Sequence, residues 1–217
     1  MTSPRISPSQ PSITPSTRSA RRLPHAGASH RLAGRLVLGL TASLAAMLAL
    51  AATQWSMQPK ESKLTFIGEQ AGAQFEGSFD RFTADIRFDP KDLAASRFDV
   101  TIDTASVNTQ DRERDDTIRS ADLFDVKRFP TARYVADKFT SLGGNKYSAS
   151  GKLTLRDVTR EVPIEFTFET KDADAWLKGT AKLKRLDFGV GQGDWKDTSA
   201  VGNDVQVRFA LRLKGSS

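Results

Sequence analysis

Histidine occurs twice in this chain, at His25 and His30, and cysteine not at all. Everything after residue 30 therefore lacks both imidazole and thiol. That excludes Ser-His-Asp and Cys-His nucleophilic catalysis, imidazole general bases, and the usual zinc and copper ligand sets. Carboxylates, lysines, tyrosines and hydroxyls remain. Paired carboxylates exchange protons when their surroundings drive their pKa values apart. The best-spaced pair is Asp122 and Asp125, around Leu123-Phe124, and such residues are far more often caps and surface groups than acid–base partners. Asp115-Asp116 beside Arg112 and Arg114 fits a charge-paired helix face, and Tyr147 offers a phenol. The acidic residues near that helix lack the spacing and the glycine of a calcium-binding EF-hand loop.

A second chemical candidate is "DFGVGQGDW" (187–195), where Gly189, Gly191 and Gly193 alternate. Such glycines let backbone N–H groups approach a phosphate. No Gly-Lys-Ser/Thr follows and no strand–turn–helix unit frames it, so a flexible loop at a sheet rim is expected instead. The residues thus assign no catalytic group, no metal and no cofactor.

The elements that must position these groups are strands. In "DVQVRFALRLKG" (204–215), Val205, Val207, Phe209, Leu211 and Leu213 alternate with mostly polar residues, which gives one apolar and one wet face. The same pattern runs through "RFDVTIDTASV" (97–107), "NKYSASGKLTLRDV" (145–158), "REVPIEFTFET" (160–170) and "AWLKGTAKLKRLDF" (175–188). "KLTFIG" (63–68), "QFEGSFDRFTADIRFD" (74–89) and "TARYVADKFTSL" (131–142) complete about eight strands, divided by turn signals such as Asp89-Pro90 and Gly143-Gly144-Asn145. One helical segment is expected within 109–124, with Arg112–Asp116 at i,i+4 and Asp111–Arg114 at i,i+3.

The second run changes parity. Phe75, Gly77 and Phe79 fall on one face, and Phe82, Ala84, Ile86 and Phe88 on the other. A bulge or bend at Asp80-Arg81 would return all of these phenylalanines to one side. One-sided strands with short links imply an antiparallel up-and-down barrel or a sandwich. The inward set includes Ala149, Gly151, Gly179 and Ala181. Those small residues either leave volume for a ligand or are filled by large neighbours.

The formal charge of +6 resides in the first 51 residues, which hold Arg5, Arg18, Arg21, Arg22, Arg31 and Arg35 and no acid. The remainder is formally neutral, so no nucleic-acid partner is expected. Residues 36–52, "LVLGLTASLAAMLALAA", form an apolar run containing the A-x-A pattern Ala49-Leu50-Ala51. Residues 1–51 read as a signal peptide with a basic leader, cleaved near Ala51, and an uncleaved anchor is the alternative. Arg21-Arg22 stands well before the apolar run, a weak match to twin-arginine export. Residues 52–217 then form one domain, large enough for its own core.

"FEGSFDRFTADIRFDP", "SADLFDVKRFPTARY", "YSASGKLTLRDVTREVPIEFTF", "LKRLDFGVG" and "VGNDVQVRFALRL" follow one another in this order. Together they resemble the YceI-like family of polyisoprenoid-binding periplasmic proteins, over essentially all of 55–214. The resemblance implies an all-β, eight-stranded antiparallel lipocalin-like barrel with a short helical segment around 110–124. It also implies export to the periplasm and an apolar lumen that holds a long-chain isoprenoid or other amphipathic lipid. Contact with a membrane would be transient, for lipid exchange, and a homodimer is left open. Many family members carry a histidine before the G-x-F element; here "FIGEQAGAQFEGSF" has Gln70 and Gln74 instead.

On this reading the lumen candidates are the inward residues of each run. Phe66 comes from the first run, and Phe75, Phe79, Phe82 and Ile86 from the second. Phe98, Val100 and Ile102 follow, then Phe124 from the helical segment. Tyr147, Gly151, Leu153 and Leu155, then Ile164, Phe166 and Phe168, come from the next hairpin. Leu177, Gly179, Val207, Phe209 and Leu211 complete the set. A non-enzymatic carrier is the function expected. The alternative is a barrel enzyme acting on a lipid or quinone through carboxylate or Tyr147 chemistry.

Overall fold

A computed structural model describes residues 52–215, and the leader and its cleavage pattern lie outside the described residues. Eleven strand segments form one antiparallel sheet: β1 (Gln54–Met57), β2 (Lys63–Gln70), β3 (Ala73–Phe79), β4 (Phe82–Arg87), β5 (Arg97–Asp103), β6 (Val107–Asn108), β7 (Thr131–Gly143), β8 (Lys146–Leu155), β9 (Val158–Lys171), β10 (Asp174–Lys184) and β11 (Asp204–Gly215). They make eight staves, because three staves are bent. β1 and β2 are halves of the first stave, β3 and β4 of the second, β5 and β6 of the third. β1 pairs with β4 and β2 with β3, while β4 pairs with β5 and β3 with β6. β11 pairs with β10 on one side and with both β1 and β2 on the other, which closes the ring. The result is an up-and-down barrel of eight staves. Its first stave extends further toward the N-terminus than the apolar run at 63–68 suggests, since β1 is short and only Trp55 in it is buried.

The bend expected at Asp80-Arg81 is present between β3 and β4. Its neighbour bends at the same level, where Thr104–Ser106 form a 3-10 turn. Asp80 N–H donates to Ser106 O and Arg81 N–H to Ser106 Oγ, while Asp103 N–H donates to Arg81 O, so the two kinks hold one another. Two positive-φ turns, Ala71-Gly72 and Arg156-Asp157, link β2 to β3 and β8 to β9. Both suit the right-handed twist of hairpins.

The helix α1 (Arg112–Arg119) is shorter than the 109–124 segment expected, because Ser120 ends it with an extended backbone. Arg112–Asp116 and Asp111–Arg114 pair as the spacing required, at 3.8 and 3.4 Å. Asp115 does not join that solvated face. It is buried and accepts hydrogen bonds from Thr109 N–H (2.8 Å) and Oγ1 (2.7 Å).

The outward face settles what kind of barrel this is. Lys178, Thr180, Lys182 and Arg208 are exposed on β10 and β11, and Glu161 and Glu165 on β9. A membrane-spanning barrel needs an apolar outer band. Here the apolar side is the inside.

Candidate functional site

The lumen has two parts. One end is solid. Phe88 is fully buried and meets Phe98, Phe139, Tyr147, Phe166 and Phe168 at ring-centroid distances of 5.8, 5.7, 5.0, 5.4 and 4.7 Å. Trp55 closes over Phe168 edge-on at 5.3 Å and donates its indole N–H to Phe88 O. Steeply tilted ring pairs of this kind are the favoured geometry for quadrupoles and add to the energy of area burial.

Beyond this plug the barrel holds a cavity of about 230 Å³. Its wall runs from Ile86 and Phe98 next to the plug, past Val100, Ile102, Tyr134, Leu153, Ile164, Leu177 and Leu211, to Val201 and Gly202 at the far end. Along β11 alone the wall runs from Leu211 to Val205, six residue steps, or about 20 Å of strand. Near the mouth Phe75, Phe66, Phe79 and Phe124 form a chain of rings, with successive centroids 6.1, 5.5 and 5.9 Å apart.

The segment after α1 and the β10–β11 connection shape that end. Ile118, Leu123 and Phe124 belong to the cavity wall. Arg156, in the β8–β9 turn, donates to Ala121 O and Leu123 O, while Gly191 and Gln192 N–H both donate to Asp122 O. The β2–β3 tip is tied in as well, through Ala71 N–H to Ala200 O and Gly202 N–H to Glu69 O, each 2.9 Å. Arg114 lies 4.5 Å over the Phe75 ring and donates to Gln70 Oε1.

Most of the sequence-derived lumen residues meet on this wall: Phe66, Phe75, Phe79, Phe82, Ile86, Phe98, Val100, Ile102, Phe124, Leu153, Leu155, Ile164, Leu177, Val207, Phe209 and Leu211. Five do not. Tyr147, Phe166 and Phe168 sit at the solid end, packed around Phe88. Gly151 and Gly179 leave no space at all. A Cβ on Gly151 would stand 2.2 Å from Tyr134 Oη, and one on Gly179 2.5 Å from the Phe209 ring. Gly77 and Gly68 are likewise covered by Phe66 and Phe75. Each glycine lets a ring from a neighbouring strand lie against the wall. The glycines hold no ligand volume themselves; they keep large rings out of the lumen's centre.

Alternation does not mark Tyr134 as inward, because its stave breaks parity. The pairing shifts between Ala136 and Lys138, so Phe139 points inward on the opposite parity from Tyr134. Tyr134 Oη donates to Val162 O at 3.1 Å. Burial first, and Glu161 second, push its phenol well above the ordinary tyrosine value, so it stays protonated and is no base at neutral pH. Neither carboxylate of the Asp122/Asp125 pair belongs to the wall. Asp122 is exposed, and Asp125 is buried with Arg128 at 3.5 Å.

The glycine-rich 187–195 segment does lie at the rim, but it is anchored. Phe188 and Val190 are buried, and Arg185 beneath them is 5% exposed. Its Nε, Nη1 and Nη2 donate to Gly202 O, Val190 O and Val201 O at 2.9, 2.9 and 2.7 Å. Gly191 is required there: at φ +119°, a Cβ would meet Arg185 Nη1 at 2.0 Å. Among the described residues, Arg185 and Glu69 are the only charged ones on the cavity wall.

The comparisons agree with this geometry. The family model for the YceI-like domain matches residues 55–213. A UPF0312 protein of Vibrio parahaemolyticus is 30% identical over 186 residues, covering 82% of this chain and 94% of its own. Another, from Pseudomonas savastanoi, is 34% identical over 185 residues, 80% of this chain and 93% of that protein. Among solved structures, Burkholderia cenocepacia BcnA superposes with a TM-score of 0.70 at 35% identity, over 72% of this chain and 99% of BcnA. A polyisoprenoid binding domain from Saccharophagus degradans shares the fold at 15% identity, with a TM-score of 0.58 over 76% of this chain and 99% of that domain. The five sequence motifs, the closed eight-stave ring and the family match over nearly the whole described region coincide, and this chain belongs to the YceI-like domain family.

Proposed function

We propose that this protein is an exported, non-enzymatic carrier that holds a long-chain isoprenoid or similar amphipathic lipid in the open part of its barrel. The observation that carries this reading is the cavity wall itself. Among the described residues it is apolar from Ile86 to Val205, charged only at Glu69 and Arg185, and blind at the Phe88 plug. Such a space excludes polar ligands along most of its length and favours a chain. Burial returns about 25 cal/mol per Å². A micromolar affinity, about 8 kcal/mol, therefore needs roughly 300 Å² of apolar chain, and more once ordering costs are met. The polyisoprenoid binding domain of Saccharophagus degradans, which shares the fold, supports the choice of ligand. The apolar run and A-x-A pattern at 36–52 support export to the periplasm. Contact with a membrane is then brief, at lipid pick-up and release.

Native mass spectrometry of the protein purified from the periplasm tests this. The expected spectrum shows a chain starting near Ala52 with a bound mass that organic solvent removes. A protein that carries no such mass and takes up no geranylgeraniol after stripping would overturn the reading.

A further inference from the structure

The third stave and β7 separate above Asp103. There β5 makes its last pairing with β7, Asp103 to Thr131, and the strand that β6 pairs with is β3. Residues 109–130, with α1 inside them, fill the gap and bring Ile118, Leu123 and Phe124 to the cavity wall. Two different sets of bonds hold this segment. Its ends and its middle are fixed to the third stave. At one end Asp115 accepts both hydrogen bonds from Thr109; at the other, Thr104 Oγ1 donates to Phe129 O and Thr104 N–H to Pro130 O. Between them Arg119 donates to Ala105 O and Val107 O. Across the mouth, four hydrogen bonds all end on three consecutive carbonyls, Ala121, Asp122 and Leu123. Arg156 in the β8–β9 turn supplies two of them, and Gly191 and Gln192 N–H supply the others at 2.9 and 2.8 Å. Ala121 and Asp122 are exposed, so water replaces these bonds when they break and the net cost of opening is small. Gln110, beside the fixed end, holds φ at +62°, a conformation that costs a non-glycine residue energy.

We propose that residues 111–124 are a flap over the lipid's entrance, hinged on the third stave at Gln110 and latched by Arg156 and the Gly191 and Gln192 amides. This rests on the carrier reading above and supplies the step by which its ligand enters and leaves. With the latch closed, Leu123 and Phe124 complete the wall, and Phe124 ends the chain of rings at the mouth. Release of the three carbonyls swings those two side chains off the cavity, while Arg119 keeps the segment on its own stave. A lipid in the lumen touches Ile118, Leu123 and Phe124 in the closed form alone, so bound ligand favours closure and exchange waits for opening. Uptake and release then both scale with the small open population. Affinity is set by the dominant closed form and does not follow it.

Two variants test this in the protein purified from the periplasm and stripped of lipid. The probe is geranylgeraniol, and its transfer to and from phosphatidylcholine vesicles gives both rates. Arg156→Ala removes two of the four latch bonds, and circular dichroism checks that it is folded. Uptake and release should both rise about tenfold, the size of one hydrogen bond to a charged group, with the affinity unchanged. Asp122→Cys combined with Gln192→Cys sets two thiols on hydrogen-bonded backbones in a chain that has no other cysteine, so oxidation locks the latch with a single disulfide. The oxidised form should exchange lipid about a hundredfold more slowly than the same protein reduced with dithiothreitol, the scale of a disulfide's constraint. Unchanged rates in Arg156→Ala, or equal rates in the oxidised and reduced double variant, would overturn the flap and leave the carrier reading standing. Release that rises alone, with weaker affinity, would assign Arg156 to the stability of the wall and overturn the flap as well. If the wild type binds no geranylgeraniol, the carrier reading falls and the flap with it.

Discussion

Replacing Phe88 with alanine should remove the plug's hub and show how much of the barrel's stability sits at its closed end. Phe88 is 0% exposed and has five aromatic neighbours with centroids between 4.7 and 5.8 Å. A buried Phe→Ala change costs about 3–5 kcal/mol through lost transfer energy and the cavity left behind. The neighbours come from β5, β7, β8 and β9 and are fixed by the sheet, so collapse into the hole is limited and the upper half of that range is expected. Against a typical total of 5–15 kcal/mol, the variant stays folded but is strongly weakened. Phe79 provides the contrast. It is half-buried on the cavity wall, touching Phe66 and Phe124, so Phe79→Ala opens existing space instead of making a new hole. It should cost clearly less, about 1–2 kcal/mol, near the value of partial side-chain burial. Urea unfolding of the two variants, with unchanged m-values, measures both numbers. If Phe79→Ala destabilises as much as Phe88→Ala, the division into a solid end and an open end is wrong.

Three further outcomes follow from individual contacts. Gly179→Ala places a Cβ 2.4 Å from Glu165 O and 2.5 Å from the Phe209 ring, so overpacking of about 1–3 kcal/mol should outweigh the usual 0.5–1 kcal/mol gain of Gly→Ala, and thermal melting will show the sign. Arg133, at 2.6 Å, and Arg97 hold the Asp99 carboxyl below the ordinary carboxylate range. That contribution is complete above about pH 4 and fades as pH falls through the lowered folded-state value, so Asp99→Asn should flatten the acid limb of a stability–pH curve. Tyr134 behaves in the opposite sense: its raised value adds stability below about pH 10 that is lost as pH climbs further. Tyr134→Phe should cost about 0.5–1.5 kcal/mol at neutral pH and remove that alkaline loss in unfolding titrations.

The barrel was legible because β9, β10 and β11 alternate cleanly, as Val162, Ile164, Phe166 and Phe168 illustrate. Even the bend at Asp80-Arg81 could be read, since leaving Phe82 and Ile86 in water would be too costly. Alternation assigns a face, but it carries no information about height along the barrel axis. Hence alternation puts Tyr147, Phe166 and Phe168 on one face with Leu153 and Ile164, although the first three pack around Phe88 and the others line the cavity. The glycines misled for a related reason. Gly151 and Gly179 look like vacancies along their own strands, and the rings that cover them come from β7 and β11. Tyr134 was hidden by the bulge after Ala136, and Arg185 by its place outside any regular strand. A single buried arginine in a loop has no periodic signature; only its three carbonyl partners reveal it.

Methyl-resolved NMR of the stripped protein during titration with geranylgeraniol asks most directly whether the open lumen is where the chain resides. Shift changes should concentrate on Ile164, Leu177, Val207 and Leu211, which line the cavity. Leu213, fully buried in the core off the cavity wall, and Val135, on the opposite parity from Tyr134, should stay in place. Saturable shifts confined to the wall methyls would place the chain inside the barrel. Shifts spread over outward residues, or no shift at any wall methyl at saturating ligand, would show that the lumen is not the binding site.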